Sequence, residues 1–227
     1  MANNLDLEEQ EQLDQLKHFW KQHGNWISWV LIVVFGGIAA WNAYQYWQRS
    51  QATQAAGLYD EVERAARSAD LGKLEQGLAD MKSRYGSTVQ AQQAGLLAAG
   101  TLADKGKPEQ ARAALSWVAE QASDDGYKAV ARLRLAGLLA EGKAYDEALK
   151  QLEGVTLKEF APLAADRRGD IFALQGQAAK AREEYLKAYA GLKESGDYRR
   201  LVEVKLNALG VDPASAAQPA PTETTKP

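Results

Sequence analysis

The chain has two histidines, His18 and His23, and no cysteine. Five residues apart, the histidines do not share a helical face and make poor metal ligands. A Ser-His-Asp site needs a histidine within the folded domain, and none occurs after His23. The missing cysteines exclude thiolate nucleophiles, Cys-based metal sites, disulfides and acylated cysteines, and they fit an oxidising compartment. No glycine-rich phosphate loop with a following Lys-Ser/Thr occurs, and Gly36-Gly37 lies inside an apolar run. The acid pairs Asp124-Asp125 and Glu183-Glu184 read as solvated helix faces rather than acid–base dyads. These residue types predict no enzyme, no cofactor and no metal site. A formal net charge of -3 gives no footprint for nucleic acid. Function must therefore reside in a surface and in the elements that hold it.

The first such element is an anchor. Between Lys21 and Arg49 there is no Asp, Glu, Lys or Arg. Trp26 to Trp47, at ~1.5 Å rise per residue, extends roughly 33 Å, enough for a bilayer core of ~30 Å. Trp26 and Trp29 at one end, and Tyr44, Tyr46 and Trp47 at the other, form aromatic belts that predict contact of residues 26–47 with membrane lipid. A cleaved signal peptide is an alternative, with Gly37-Ile38-Ala39 as its small-residue site. The acidic residues before the run, its length, and the bulky Trp41 and Tyr44 argue against it. A buried core helix is the other alternative. Lys17 and Lys21 before the span, against Arg49 alone just after it, predict a cytoplasmic N-terminus and a periplasmic soluble region.

The expected organisation is an acidic cytoplasmic arm over 1–21, a transmembrane helix over 22–48, a helical repeat domain over 49–210 and a disordered Pro/Ala/Thr tail over 211–227. In the arm, Leu13, Leu16 and Trp20 recur at helical spacing. It is either a solvated extension merging into the membrane helix or a cytoplasmic contact. The tail holds four of the six prolines and cannot build a core.

Residues 50–210 are rich in helix formers, with Pro108 and Pro162 at candidate helix starts. GLLAAGTLADKGKPEQARAAL (Gly95–Leu115), RLRLAGLLAEGKAYDEALKQL (Arg132–Leu152) and ADRRGDIFALQGQAAKAREEY (Ala165–Tyr185) align with steps of 37 and 33 residues. Small residues coincide at Ala99, Ala136 and Gly169, and again at Ala111, Ala148 and Ala181. Large ones coincide at Leu102, Leu139 and Phe172, and at Leu115, Leu152 and Tyr185. Two antiparallel helices approach closely where one side chain is small, and a bulky neighbour fills the adjacent hole. Such units require stacked neighbours. The positions resemble the tetratricopeptide repeat, which makes the expected fold all-α: one N-terminal transmembrane helix followed by a tetratricopeptide-like solenoid. An irregular helical bundle is the alternative. Ala56 to Tyr85 reads as a degenerate first pair. A closing helix at Tyr198–Leu209 is expected to turn Leu201, Val204 and Leu209 inward.

In tetratricopeptide arrays the first helix of each pair lines a concave groove. Counting from the aligned small residues, the groove is expected to present Gln93, Leu96, Gly100, Ala103 and Asp104. The next repeat adds Val130, Leu133, Gly137, Ala140 and Glu141, and the last adds Leu163, Asp166, Asp170, Ala173 and Leu174. Leu133 and Leu174 have a core reading as well. The expected surface is apolar and small, with acids at one end and no Lys/Arg clamp, suited to an extended or partly unfolded apolar segment or a docked helix.

The order of these features resembles the YfgM family, ancillary subunits of the bacterial SecYEG translocon. LKHFWKQHGNW (Leu16–Trp26), WNAYQYWQRSQATQAAGLYDEV (Trp41–Val62) and YGSTVQAQQAGLLAAG (Tyr85–Gly100) carry the resemblance, which covers about residues 8–210 and omits the tail. It implies a single-pass inner-membrane protein with periplasmic repeats. It also implies SecYEG and the membrane-anchored chaperone PpiD as partners, and a role in passing secreted or unfolded polypeptides onward. A scaffold for envelope assembly or cell division would use the same groove, and a stress-regulatory role of the N-terminal arm is a further alternative.

Overall fold

The computed structural model describes residues 7–192 and 196–213; the expected disordered tail lies, from residue 214 on, outside the described residues. Among them are nine α-helices, one short 3-10 helix and no strand. The chain divides into Met1–Gln51 and Ala52–Pro227.

The first helix, α1 (Leu7–Arg67), runs unbroken through the expected arm and apolar run. It is the one helix among the described residues long and apolar enough to cross a membrane, and none of its apolar stretch is buried. Within Met1–Gln51, Trp26, Trp29, Ile32, Val33, Phe35 and Ile38 all stand exposed. His23 stacks on Phe19 with ring centroids 4.9 Å apart, and it lies on a different side of the helix from His18.

From residue 52 onward the end of α1 is followed by α2 (Leu71–Tyr85), α3 (Val89–Asp104), α4 (Pro108–Gln121), α5 (Asp125–Glu141), α6 (Tyr145–Glu153), α7 (Ala161–Leu174), α8 (Ala178–Gly191) and α9 (Gly196–Ala208). Each helix from α2 on packs on the next, and α3, α5 and α7 also contact in sequence, as stacked hairpins do. Helix starts follow local chemistry. Asp70, Thr88 and Asp124 accept from the backbone N–H of Lys73, Ala91 and Tyr127. Pro108 and Pro162 occupy first-turn positions of α4 and α7, where a missing N–H costs nothing.

The repeat register is written in the turns. Ala69, Gly106, Lys143, Gly176 and Gly210 all adopt left-handed φ, between 54° and 75°. At each, the residue that follows donates its N–H to a carbonyl five residues before it: Asp70 to Ala65, Lys107 to Leu102, Ala144 to Leu139, Gln177 to Phe172 and Val211 to Leu206, at 2.8–3.0 Å. This is the Schellman closure of a helix C-terminus. The five turns are spaced by 37, 37, 33 and 34 residues. The end of α1 with α2 is therefore a first repeat, and α9 is the first helix of a fifth.

The small–large alternation does the packing expected of it. Ala99, Ala136, Ala111, Ala148 and Ala181 are buried, as are Leu102, Leu139, Leu115, Leu152 and Tyr185; Phe172 is half-buried. A Cβ on Gly169 would stand 2.5 Å from the Tyr185 ring, so only glycine admits that tyrosine. In the first pair the pattern is inverted: Val62 holds the small position, and Gly77 supplies the room, since a Cβ there would meet Val62 Cγ2 at 2.8 Å.

Helix α9 corrects one expectation. Val202 and Leu206 point inward, whereas Leu201 and Val204 are exposed; Leu209 is half-buried against the C-terminal cluster. Tyr198, Val202, Lys205, Leu206 and Leu209 form one helical stripe, and Leu201 and Val204 lie beside it. At the position where α7 carries Gly169, α9 carries Glu203, a charged side chain in place of a small one.

Candidate partner-binding groove

Helices α3, α5 and α7 line two adjoining bays. One of about 290 Å³ is bordered by Ala99, Gly100 and Ala103 of α3 and by Arg134, Gly137 and Glu141 of α5. The other, about 500 Å³, is bordered by Gly137, Ala140, Asp170, Ala173, Leu174 and Tyr185. Gly137, Glu141 and Arg167 border both. Small residues recur on the floor because the repeat returns them to one column: Ala103, Ala140 and Ala173 occupy equivalent positions, as do Gly100 and Gly137. A Cβ added at Gly100 would meet nothing within 4 Å.

The residues expected in the groove divide by helical angle. Ala103 and Asp170 border the bays, with Gly100, Gly137, Ala140, Glu141, Ala173 and Leu174. Gln93 is exposed, and its Nε2 donates to the Tyr127 hydroxyl at 2.9 Å. Leu96 is a core residue, 9% exposed. Val130 and Leu133 are half-buried against the same core, and Leu163 packs on the C-terminal cluster. Asp166 is 1% exposed and engaged in a buried network. The column Leu96–Leu133–Asp166 thus faces inward, one helical step from the groove.

The column that sequence reading missed is Leu97–Arg134–Arg167, and it overturns the expected absence of basic groups. Arg134 borders the smaller bay, and Arg167 borders both. Their signal was present in the sequence: Arg134 precedes Gly137 by three residues and Glu141 by seven, the spacing of one helical face. Arg134 Nη1 reaches the Leu96 carbonyl at 3.4 Å. Arg167 stands 3.6 Å from Asp170 Oδ2.

Beneath the larger bay lies a network that fixes α9 against α7. Lys205 Nζ donates to both oxygens of Asp166 at 2.8 and 2.9 Å and to Asp170 Oδ1 at 2.7 Å. The hydroxyls of Tyr198 and Tyr185 donate to Asp166 (2.7 Å) and Asp170 (2.8 Å). Burial, and then these hydrogen bonds to carboxylates, push both phenols well above the usual tyrosine range. Between α7 and α8, Arg168 Nε meets Glu184 at 2.7 Å. Burial opposes ionisation of Glu184, but the hydrogen bonds from Lys187 and Arg168 outweigh it and hold the carboxyl below its ordinary value.

The sequence profile of the family described as "Tetratricopeptide repeat-like domain" matches residues 17–211. The chain is 33% identical over 204 residues to the "Ancillary SecYEG translocon subunit" of Neisseria gonorrhoeae, covering 89% of this chain and 98% of the relative. The chain belongs to the ancillary SecYEG translocon subunit family. Relatives with the same name in Escherichia coli K12 (28% over 211 residues) and Haemophilus influenzae (26% over 212) cover 89% of this chain and 97% and 98% of their own lengths. No solved structure matches the chain. The family membership accords with the resemblance to YfgM and with an all-α tetratricopeptide-like architecture.

Proposed function

We propose that this family member is a non-catalytic, single-pass inner-membrane subunit of the SecYEG translocon that holds partner segments in the groove over α3, α5 and α7. The observation that carries the reading is one chain joining an exposed apolar helix to a repeat array with a small-floored groove. Near-complete coverage of relatives named as translocon subunits supports the partner. The positive flank at Lys17 and Lys21 supports a cytoplasmic N-terminus and periplasmic repeats. The resemblance supports PpiD as the neighbouring chaperone and secreted chains as clients.

Two experiments test this. Affinity isolation from mild detergent should recover SecYEG subunits and PpiD; recovery of cell-wall or outer-membrane assembly proteins alone would contradict it. Protease added to spheroplasts should digest residues 50–227 and leave a fragment containing Trp26–Trp47. Full protection of the repeats would overturn the topology.

A further inference from the structure

The turn spacing carries the groove beyond α7. The 34-residue step from Gly176 to Gly210 maps Arg167 onto Leu201 and Asp170 onto Val204. Lys205 and Tyr198, bonded to Asp166 and Asp170, hold α9 beside α7. The exposed large apolar residues described in the repeat unit are Val89, Leu174 (59%), Leu201 (48%) and Val204 (64%). Three of these four lie in the groove register at its C-terminal end. Water-exposed apolar side chains that recur in one register mark an interaction surface.

The charges beside this patch differ in how far they are satisfied. Asp170 Oδ1 already accepts from Lys205 and Tyr185, and its Oδ2 is the atom near Arg167. Arg134 has a carbonyl contact at 3.4 Å and no carboxylate among the described ion pairs. A guanidinium offers five donors in a planar fork that suits a carboxylate. Arg167 lies over the bare floor: a Cβ on Gly137 would come within 4.0 Å of its Nη1. Glu141 stands two turns along α5 from Arg134, a second, opposite charge that gives the groove a direction.

We propose that the groove selects a partner polypeptide segment with bulky apolar side chains next to an acidic one. The apolar side chains fill the 500 Å³ bay and lie against Leu174, Leu201 and Val204, while the carboxylate meets Arg134 and Arg167. This rests on the groove reading above and adds its specificity. Two guanidinium groups bordering the bays favour an acid over a base.

The test uses the full chain in phosphatidylcholine nanodiscs, with empty nanodiscs as blank. Fluorescence anisotropy is read for a labelled peptide carrying two leucines and a phenylalanine beside a glutamate, and for the same peptide with lysine there. The acidic form should bind about tenfold more tightly. Arg134→Glu/Arg167→Glu should reverse that order, Arg134→Ala should narrow it, and Leu201→Asp should weaken both forms with the thermal midpoint preserved. Equal binding of the two forms, both weakened by Leu201→Asp, overturns the charge rule and leaves the groove reading standing. Binding of neither form above the blank overturns both.

Discussion

From the end of α1 to α6 the helices meet through an apolar cluster running from Ala55 to Leu152 and joined by Ile171 of α7, in which Leu74, Met81, Leu102, Leu115 and Leu152 are buried. From α7 to α9 a second cluster, Ala165 to Leu206, shares its interface with Asp166, Asp170, Lys205, Tyr185 and Tyr198. Both regions bury small residues against large ones, so the repeat supplies the same shape. They differ in direction. Apolar packing constrains α9 through shape, with Val202 and Leu206 fully buried. Hydrogen bonds from Lys205 and Tyr198 to carboxylates on α7 add a directional constraint on the same side, and together they fix its rotation. That rotation leaves Leu201 and Val204 outward, in the groove register. The last helix is thereby oriented to display an apolar face rather than to hide one.

The largest expected effect comes from separating charge from shape. Lys205→Met leaves Asp166 buried without its ammonium and should cost ~3–5 kcal/mol in denaturant unfolding. Asp166→Leu with Lys205→Met should restore much of that stability, because the desolvation cost disappears with the charges. If directionality matters, the double variant should still loosen α9, seen as faster amide exchange across Gly196–Ala208 than in the parent. A single variant costing under ~1 kcal/mol would remove the distinction between the two regions.

Shape is tested next. Ala148→Leu in the apolar region should overpack α6 and cost ~1–3 kcal/mol. In the polar region Gly169→Ala, a single methyl aimed at the Tyr185 ring, should cost a similar ~1–3 kcal/mol. The equivalent positions Ala99 and Ala136 already carry that methyl. An unchanged unfolding midpoint for Ala148→Leu would show that the repeat register is wrong.

Protons give a smaller effect confined to the C-terminal region. Glu184 is held below its ordinary value, so its contribution is complete above the unfolded carboxylate range, ~4.3, and is lost as pH falls through the lower folded value. Tyr185 and Tyr198 are raised, so their contribution is complete below ~10 and is lost as pH rises above it. Amide exchange in α7–α9 should therefore accelerate at both extremes more than in α3–α5. Glu184→Gln should flatten the acid limb, and Tyr198→Phe the alkaline one. The smallest effect is Lys143→Gly, which relieves a left-handed backbone on a side chain that disfavours it and should raise stability by ~0.5–1 kcal/mol.

The repeats were legible in the sequence because tight packing leaves only Ala or Gly at Ala99, Ala136, Gly169, Ala111, Ala148 and Ala181. The groove was half legible. Its floor follows from the same register, so Ala103, Gly137, Ala140 and Leu174 were reached by counting. Leu96, Leu133 and Asp166 were misplaced because one residue step turns a helix by ~100°, and a column of mixed Leu and Asp resembles a surface. Arg134 and Arg167 stand one residue beyond Leu133 and Asp166, so the same slip of one step hid them. The outward turn of Leu201 and Val204 was ambiguous in the sequence: Tyr198, Val202, Leu206 and Leu209 form a competing stripe, and the Lys205–Asp166 pair that lies on its side joins residues 39 apart.

If the repeat array meets its partners through the groove over α3, α5 and α7, crosslinking from that face should exceed crosslinking from α6 and α8. A photo-crosslinking amino acid placed in cells at Ala103 or Leu174, against one at Lys150 on α6 or Arg182 on α8, tests it most directly. Adducts with SecYEG subunits, PpiD or secreted chains should form from Ala103 and Leu174, and few from Lys150 and Arg182. Equal yields from the two sets of positions, or adducts from Lys150 and Arg182 alone, would contradict it.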